Sequence, residues 1–143
     1  MKISDILRHK GSSVVTIAPT ESVRDLLARL ADHNVGALVV ADGDRVVGIC
    51  SERDIARQLN ERGADILDVQ VSELMTATVV SCRPEDDVDT VAGNMTELRI
   101  RHMPVLSRDK LAGIVTIGDV VAGRIRQLEQ DRGQLEQYIT QGR

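Results

Sequence analysis

Residues 48–54 read Gly48-Ile49-Cys50-Ser51-Glu52-Arg53-Asp54, and residues 113–119 read Gly113-Ile114-Val115-Thr116-Ile117-Gly118-Asp119. Both fit the pattern Gly-apolar-x-(Ser/Thr)-x-x-Asp, 65 positions apart as 48 is from 113. The same offset relates Pro19 to Pro84, Val23 to Val88, Val40 to Val105 and Asp44 to Asp109. A constant offset across that span is the mark of an internal duplication, and a duplication decides the fold before any single element does. Upstream, Ile3-Ser4-Asp5-Ile6-Leu7 resembles Val71-Ser72-Glu73-Leu74-Met75 at an offset of 68, as 3 is from 71. The first copy therefore carries three extra residues, around His9-Lys10-Gly11.

Working outward from the motif, each copy has the same order of elements. A short helix (Ile3–Leu7; Val71–Met75) leads into a β-rich run (Val14–Ile17; Thr78–Cys82). A proline and acidic residues then open a helix, 21–33 in one copy and 85–98 in the other. Acidic first turns suit the positive end of a helix dipole. Val23, Leu26, Leu27 and Leu30 share one helical face, as do Val88, Val91, Ala92 and Met95. Two apolar runs around a polar turn follow, Ala37–Ala41 with Val46–Cys50 and Met103–Leu106 with Leu111–Val115, and they predict hairpins with three- or four-residue loops. A last helix begins at Ser51 or Thr116. The unit is β-α-β-β-α with a helical lead-in, an α+β arrangement. Its three-stranded sheet has one bare apolar face, which the other copy covers sheet to sheet as a pseudo-twofold pair. The expected units are residues 3–62 and 69–125. Residues 126–143 form a C-terminal amphipathic segment, part of one long helix from about Ile117 to Thr140, striped by Val121, Ile125, Leu128, Leu135 and Ile139.

Composition narrows the chemistry. The 143 residues include one tyrosine, Tyr138, and no Phe or Trp, so aliphatic side chains build the core. Base-stacking platforms for single-stranded nucleic acid are excluded on that ground. A formal net charge of −4 argues against a protein that coats DNA or RNA. Cys50 and Cys82 stand beside apolar runs at no metal-binding spacing, as small hydrophobes in a reducing compartment. No apolar run reaches a membrane span and no secretory pattern opens the chain, so the cytoplasm is the expected location. No Gly-x-x-x-x-Gly-Lys loop, metal-ligand cluster or nucleophile with an identifiable base is present, so no catalytic residue and no catalytic cofactor are expected.

The duplicated motif sits at a strand-to-helix junction and has two compatible readings. Ser-x-x-Asp and Thr-x-x-Asp act as capping boxes, with the hydroxyl accepting an orphan amide and the carboxylate reaching back. The same junction offers free amides and a positive dipole to a phosphate, and a carboxylate to ribose hydroxyls. Arg53, Arg101 and Lys10 are the basic positions placed to meet phosphates. Arg53 stands out because a cation in a first helical turn is disfavoured, and Gly118 takes its place in the second copy.

On these residues the sequence resembles a CBS-domain pair, the repeat named for the regulatory region of cystathionine beta-synthase, over roughly Ile3 to Ile125. The resemblance implies that Ser51 with Asp54, and Thr116 with Asp119, contact the phosphate or ribose of AMP, ADP, ATP, NAD or S-adenosylmethionine. It implies that the base lies against Val35-Gly36-Ala37 and Ile100-Arg101-His102-Met103-Pro104, with backbone groups reading the adenine edge. It further implies a regulatory sensor rather than an enzyme, a homodimer with four repeats in a disc, and an effector protein of unspecified kind. The competing expectation is an interaction adaptor whose clefts hold nothing. The differences between the copies, Arg53 against Gly118 and Gly36-Ala37 against Arg101-His102, predict two unequal clefts.

Overall fold

The computed structural model describes residues 1–141; residues 142–143, the end of the expected C-terminal segment, lie outside the described residues. Along the chain run α1 (Ile3–Lys10), β1 (Thr16–Ile17), α2 (Val23–His33), β2 (Ala37–Asp42), β3 (Arg45–Ser51) and α3 (Glu52–Arg62). A 3₁₀ segment, Gly63–Asp68, leads to α4 (Val71–Leu74), α5 (Val88–Leu98), β4 (His102–Ser107), β5 (Lys110–Thr116) and α6 (Ile117–Gln141). The duplicated order is that expected from the sequence, and β3 and β5 meet where the two copies come together.

Local chemistry sets the element ends. Ser22 caps α2, its hydroxyl accepting the Asp25 amide at 3.1 Å. Asn34 and Arg99 end α2 and α5 in the left-handed region, at φ 51° and 56°. Asparagine tolerates that conformation; an arginine there is held against a local cost of about 1 kcal/mol. The hairpin loops are shorter than expected. Gly43-Asp44 and Arg108-Asp109 are two-residue turns, with Gly43, Arg108 and Asp109 at positive φ. That backbone twist matches the twist of the paired strands, so the strands run right up to the turn.

The sheets differ. In the first copy β1 pairs in parallel with β2, Thr16 opposite Val39 and Ile17 opposite Val40, and β2 runs antiparallel to β3. In the second copy only β4 and β5 form strands. The expected strand Thr78–Cys82 is reduced to one bridge, in which the Cys82 amide donates to the Pro104 carbonyl at 3.0 Å and the Leu106 amide donates to the Cys82 carbonyl at 2.8 Å. The next rung of a parallel ladder would need an N–H from Pro104, where the first copy has Val39. Proline has none, and the strand stops.

Two apolar clusters form the core, and the lead-in helices are exchanged between them. Ile3 and Ile6 of α1 pack with Val88, Val91, Met103, Val115 and Val120 of the second copy. Val71 and Leu74 of α4 pack with Leu26, Leu38 and Cys50 of the first. The glycine that opens each motif makes room for this. A Cβ on Gly113 would lie 2.7 Å from Leu7 Cδ2, and one on Gly48 would lie 2.5 Å from Met75 Sδ.

Candidate functional site

At each strand-to-helix junction the capping box is formed. The Ser51 amide donates to Asp54 Oδ2 at 2.8 Å, and Ser51 Oγ lies 3.1 Å from the same oxygen and 3.4 Å from the Asp54 amide. The Thr116 amide donates to Asp119 Oδ2 at 2.9 Å, and the Asp119 amide donates to Thr116 Oγ1 at 3.1 Å. Capping uses one carboxylate oxygen and leaves the second free to point elsewhere. At Asp54 that oxygen, Oδ1, accepts from the Thr76 hydroxyl at 3.5 Å.

Asp54 lines a cleft of about 800 Å³ between the two copies. The N-terminus of α3 opens into it with Ser51, Glu52 and Arg53, so helix amides and dipole face the space. Ile49, Val80, Met95, Leu98, Ile100 and Ile117 supply aliphatic walls. Four arginines (Arg53, Arg57, Arg99 and Arg101) stand at the cleft against two carboxylates, Glu52 and Asp54. Arg53 reaches across to the second copy, donating to the left-handed Arg99 carbonyl at 3.3 Å. Gly36 and His102 face each other here, since a Cβ on Gly36 would sit 3.2 Å from His102 Nε2. Burial pushes the His102 imidazole below its ordinary value, with Lys10 and Arg101 acting in the same direction and Glu52 and Asp119 opposing.

The second motif is arranged differently. Lys10 Nζ donates to Asp119 Oδ2 at 2.7 Å and to the Ile114 carbonyl at 3.0 Å. The two side chains are 29% and 23% exposed, so the pair is shielded enough to hold its geometry. Burial raises the Asp119 carboxyl, but the hydrogen bonds from Lys10 and Thr116 and the Lys10 charge outweigh it and hold the group below the usual carboxylate value. In the first copy the carbonyl equivalent to Ile114, that of Ile49, instead accepts the Thr76 amide at 2.8 Å.

The positions expected from sequence therefore divide three ways. Ser51, Arg53, Asp54, Gly36, Ile100, Arg101 and His102 gather at the large cleft. Lys10, Thr116 and Asp119 gather at the second motif. Ala37 and Met103 are core residues, 6% and 1% exposed, Val35 packs against the first cluster, and Pro104 is buried within β4. Sequence reasoning missed Arg57, Arg99, Thr76 and Thr78. Arg57 was within reach, because it lies one helical turn beyond Arg53 and on the same face. Arg99 and the two threonines come from elsewhere in the chain and carry no pattern of their own. Among the described residues no group of three His, Cys, Asp or Glu side chains is placed to hold a metal ion.

A duplicated helix-and-hairpin fold, its leading strand complete only in the first copy, with a cleft built from both copies, defines a repeat module. The chain belongs to the CBS-domain family, whose sequence model matches residues 3–61 and 71–125. It is similar to the CBS-domain containing protein ATU1752 from Agrobacterium tumefaciens, at 40% identity and a TM-score of 0.84, over 87% of this chain and 99% of that one. The CBS domain pair of MJ0100, solved in complex with 5′-methylthioadenosine and S-adenosyl-L-methionine, is 26% identical with a TM-score of 0.78, over 89% and 98%. The CBS domain protein PAE2072 from Pyrobaculum aerophilum, complexed with AMP, is 27% identical with a TM-score of 0.74, over 83% and 89%.

Proposed function

We propose that this protein is a regulatory sensor that binds one phosphorylated adenosine nucleotide, of the AMP, ADP, ATP or NAD class, in the large cleft. The observation that carries the reading is the joint presence there of the Asp54 oxygen not used in capping, the α3 N-terminus and four arginines, walled by aliphatic side chains. Asp54 accepts from ribose hydroxyls, and Ser51, Arg53 and the helix amides receive phosphate. Ile100, Arg101 and His102 present backbone and side chain to the base beside Gly36. The adenosine ligands of MJ0100 and PAE2072 support the ligand class. The arginine excess favours a phosphorylated member over the sulfonium cation S-adenosylmethionine, since a cation gains nothing from that field. Thr116 and Asp119 form a second site that is closed to nucleotide by Lys10, its internal counter-ion. The module acts without catalysis and as a homodimer. Its signal to an effector protein is a change in the setting of the two repeats, because ligand contacts both.

The direct test is thermal denaturation with AMP, ADP, ATP, NAD and S-adenosylmethionine, with Asp54→Ala beside the wild type. A ligand at 100 times its Kd stabilises by about 2.7 kcal/mol, or about 5–10 °C at 2–4 °C per kcal/mol. A phosphorylated nucleotide is expected to give that shift and Asp54→Ala to abolish it. No shift with any of the five supports an empty-cleft adaptor instead. Among the described residues no helix is long and apolar enough to cross a membrane, and we place the sensor in the cytoplasm.

A further inference from the structure

We infer that the large cleft discriminates nucleotides by the length of their phosphate chain, taking a di- or triphosphate in preference to a monophosphate, and that Arg57 and Arg99 are the residues that discriminate. The inference rests on the nucleotide reading of the cleft. The duplication supplies the argument, because each residue of the cleft has a counterpart 65 positions away. The capping residues match, Ser51 and Asp54 corresponding to Thr116 and Asp119. The arginines do not. Arg53 and Arg57 correspond to Gly118 and Ala122, while Arg99 and Arg101 correspond to Asn34 and Gly36. All four guanidinium groups therefore stand at one cleft, and none of their counterparts carries a charge. The shared hydroxyl and carboxylate serve a ribose and a first phosphate; the arginines are an addition made on one side only.

Among the described residues none of these four arginines has a carboxylate partner, whereas Arg24, Arg29 and Arg124 each have one. Arg99 is also held at a cost. It ends α5 at φ 56°, in the left-handed region, where the first copy ends α2 with Asn34 at φ 51°. Asparagine accepts that conformation and arginine resists it, and residues kept in such conformations cluster where a ligand uses them. Counting donors shows which ligand uses this one. A terminal phosphoryl group presents three oxygens, and Ser51, the α3 amides and Arg53 already address them. Arg57 and Arg99 bring five N–H donors each and find no acceptor left on a single phosphate. Arg57 stands four residues beyond Arg53, about 6 Å farther along α3, and Arg99 enters from the other repeat, where its carbonyl accepts from Arg53 at 3.3 Å. A longer phosphate chain supplies oxygens to both.

Calorimetric titration of AMP, ADP and ATP into the full chain, without divalent cations, tests this with Asp54→Ala and a combined Arg57→Ala, Arg99→Asn variant beside the wild type. The two arginine changes install the residues that the other repeat carries, at exposed positions, so the fold is kept, and relief at Arg99 is expected to raise Tm. ATP is expected to bind the wild type about tenfold more tightly than AMP, the lower end for charge-assisted hydrogen bonds at an open site. The arginine variant is expected to lose that advantage, its affinity for ATP falling to that for AMP while its affinity for AMP stays at the wild-type value. Asp54→Ala is expected to weaken all three nucleotides alike. If AMP binds the wild type as tightly as ATP, or if the arginine variant loses AMP and ATP equally, chain-length discrimination is overturned and the cleft remains a nucleotide site. If none of the three binds the wild type, the nucleotide reading falls and this inference falls with it.

Discussion

Replacing Lys10 with methionine keeps the aliphatic stem and removes the ammonium that bonds Asp119 at 2.7 Å and the Ile114 carbonyl at 3.0 Å. Two effects of opposite sign follow. The pair is about a quarter exposed on each side, so its loss costs about 1 kcal/mol, the upper end for a partly screened ion pair. For a chain of this size that lowers Tm by about 2–4 °C. The cost depends on pH in a defined sense. Lys10 helps to hold the folded Asp119 carboxyl below its ordinary 3.8, so its contribution is present above that value and is lost as pH falls through the lower, folded value. The wild-type advantage in Tm is therefore full at pH 6–7 and shrinks at acid pH. The second effect is on binding. With the ammonium gone, Asp119 is left with its Thr116 capping bonds and open to a ligand, while Gly118 still stands where the first copy has Arg53. Calorimetric titration is expected to give one nucleotide per wild-type chain and two per Lys10→Met chain. If the variant still binds one, Lys10 does not govern the second motif. If it loses its only nucleotide, Lys10 is a ligand contact and the argument is wrong.

Other predictions come from different parts of the molecule. Gly48→Ala is expected to destabilise by about 1–3 kcal/mol and more than Gly113→Ala. Its Cβ meets Met75 Sδ and also the Thr76 carbonyl oxygen at 3.1 Å, whereas at Gly113 the close contacts come from the Leu7 side chain; urea unfolding that ranks the two the other way refutes the packing argument. The Cys50 and Cys82 thiols, pushed up to about 12 by burial and secondarily by Asp54 and Asp86, are expected to be inert to a thiol reagent at pH 8 and to give two equivalents once unfolded. His102, held below its ordinary 6.5 mainly by burial, takes up its proton more readily in the unfolded chain. Stability is therefore full above 6.5 and declines as pH falls towards the lower folded value, and His102→Gln is expected to flatten the Tm–pH curve in that window.

The duplication was legible because it is a property of spacing, and spacing survives when residue identities do not. The junction motif was legible for a related reason: Ser51 with Asp54 is a local device completed within one turn of chain. Pro104 carried a clear signal in its missing N–H, yet the consequence falls on Val80 to Cys82, more than twenty positions away, and depends on a parallel register that only the fold supplies. The cleft divides in the same way. Arg53 announces itself as a cation in a first helical turn, whereas Arg99 enters because a left-handed helix end turns its carbonyl toward Arg53. Lys10 was picked out as a basic group near a site, but only tertiary structure shows that it already has a carboxylate of its own.

The exchange of α1 and α4 between the two cores has a consequence for the order in which the molecule is built. Ile3 and Ile6 leave the ribosome well ahead of the residues they pack with, since the cluster they complete includes Val88, Val115 and Val120. At roughly 5–20 residues per second, Val120 follows Ile6 by about 6–23 s. For a little over half of that interval the first repeat waits for α4, and throughout it the cluster that receives α1 is incomplete. The nascent chain thus carries an amphipathic helix without a home until the second repeat has been made. Cutting the gene between the repeats yields two halves, each holding the other's helix, which should recover a native fold when produced together and fail when produced apart.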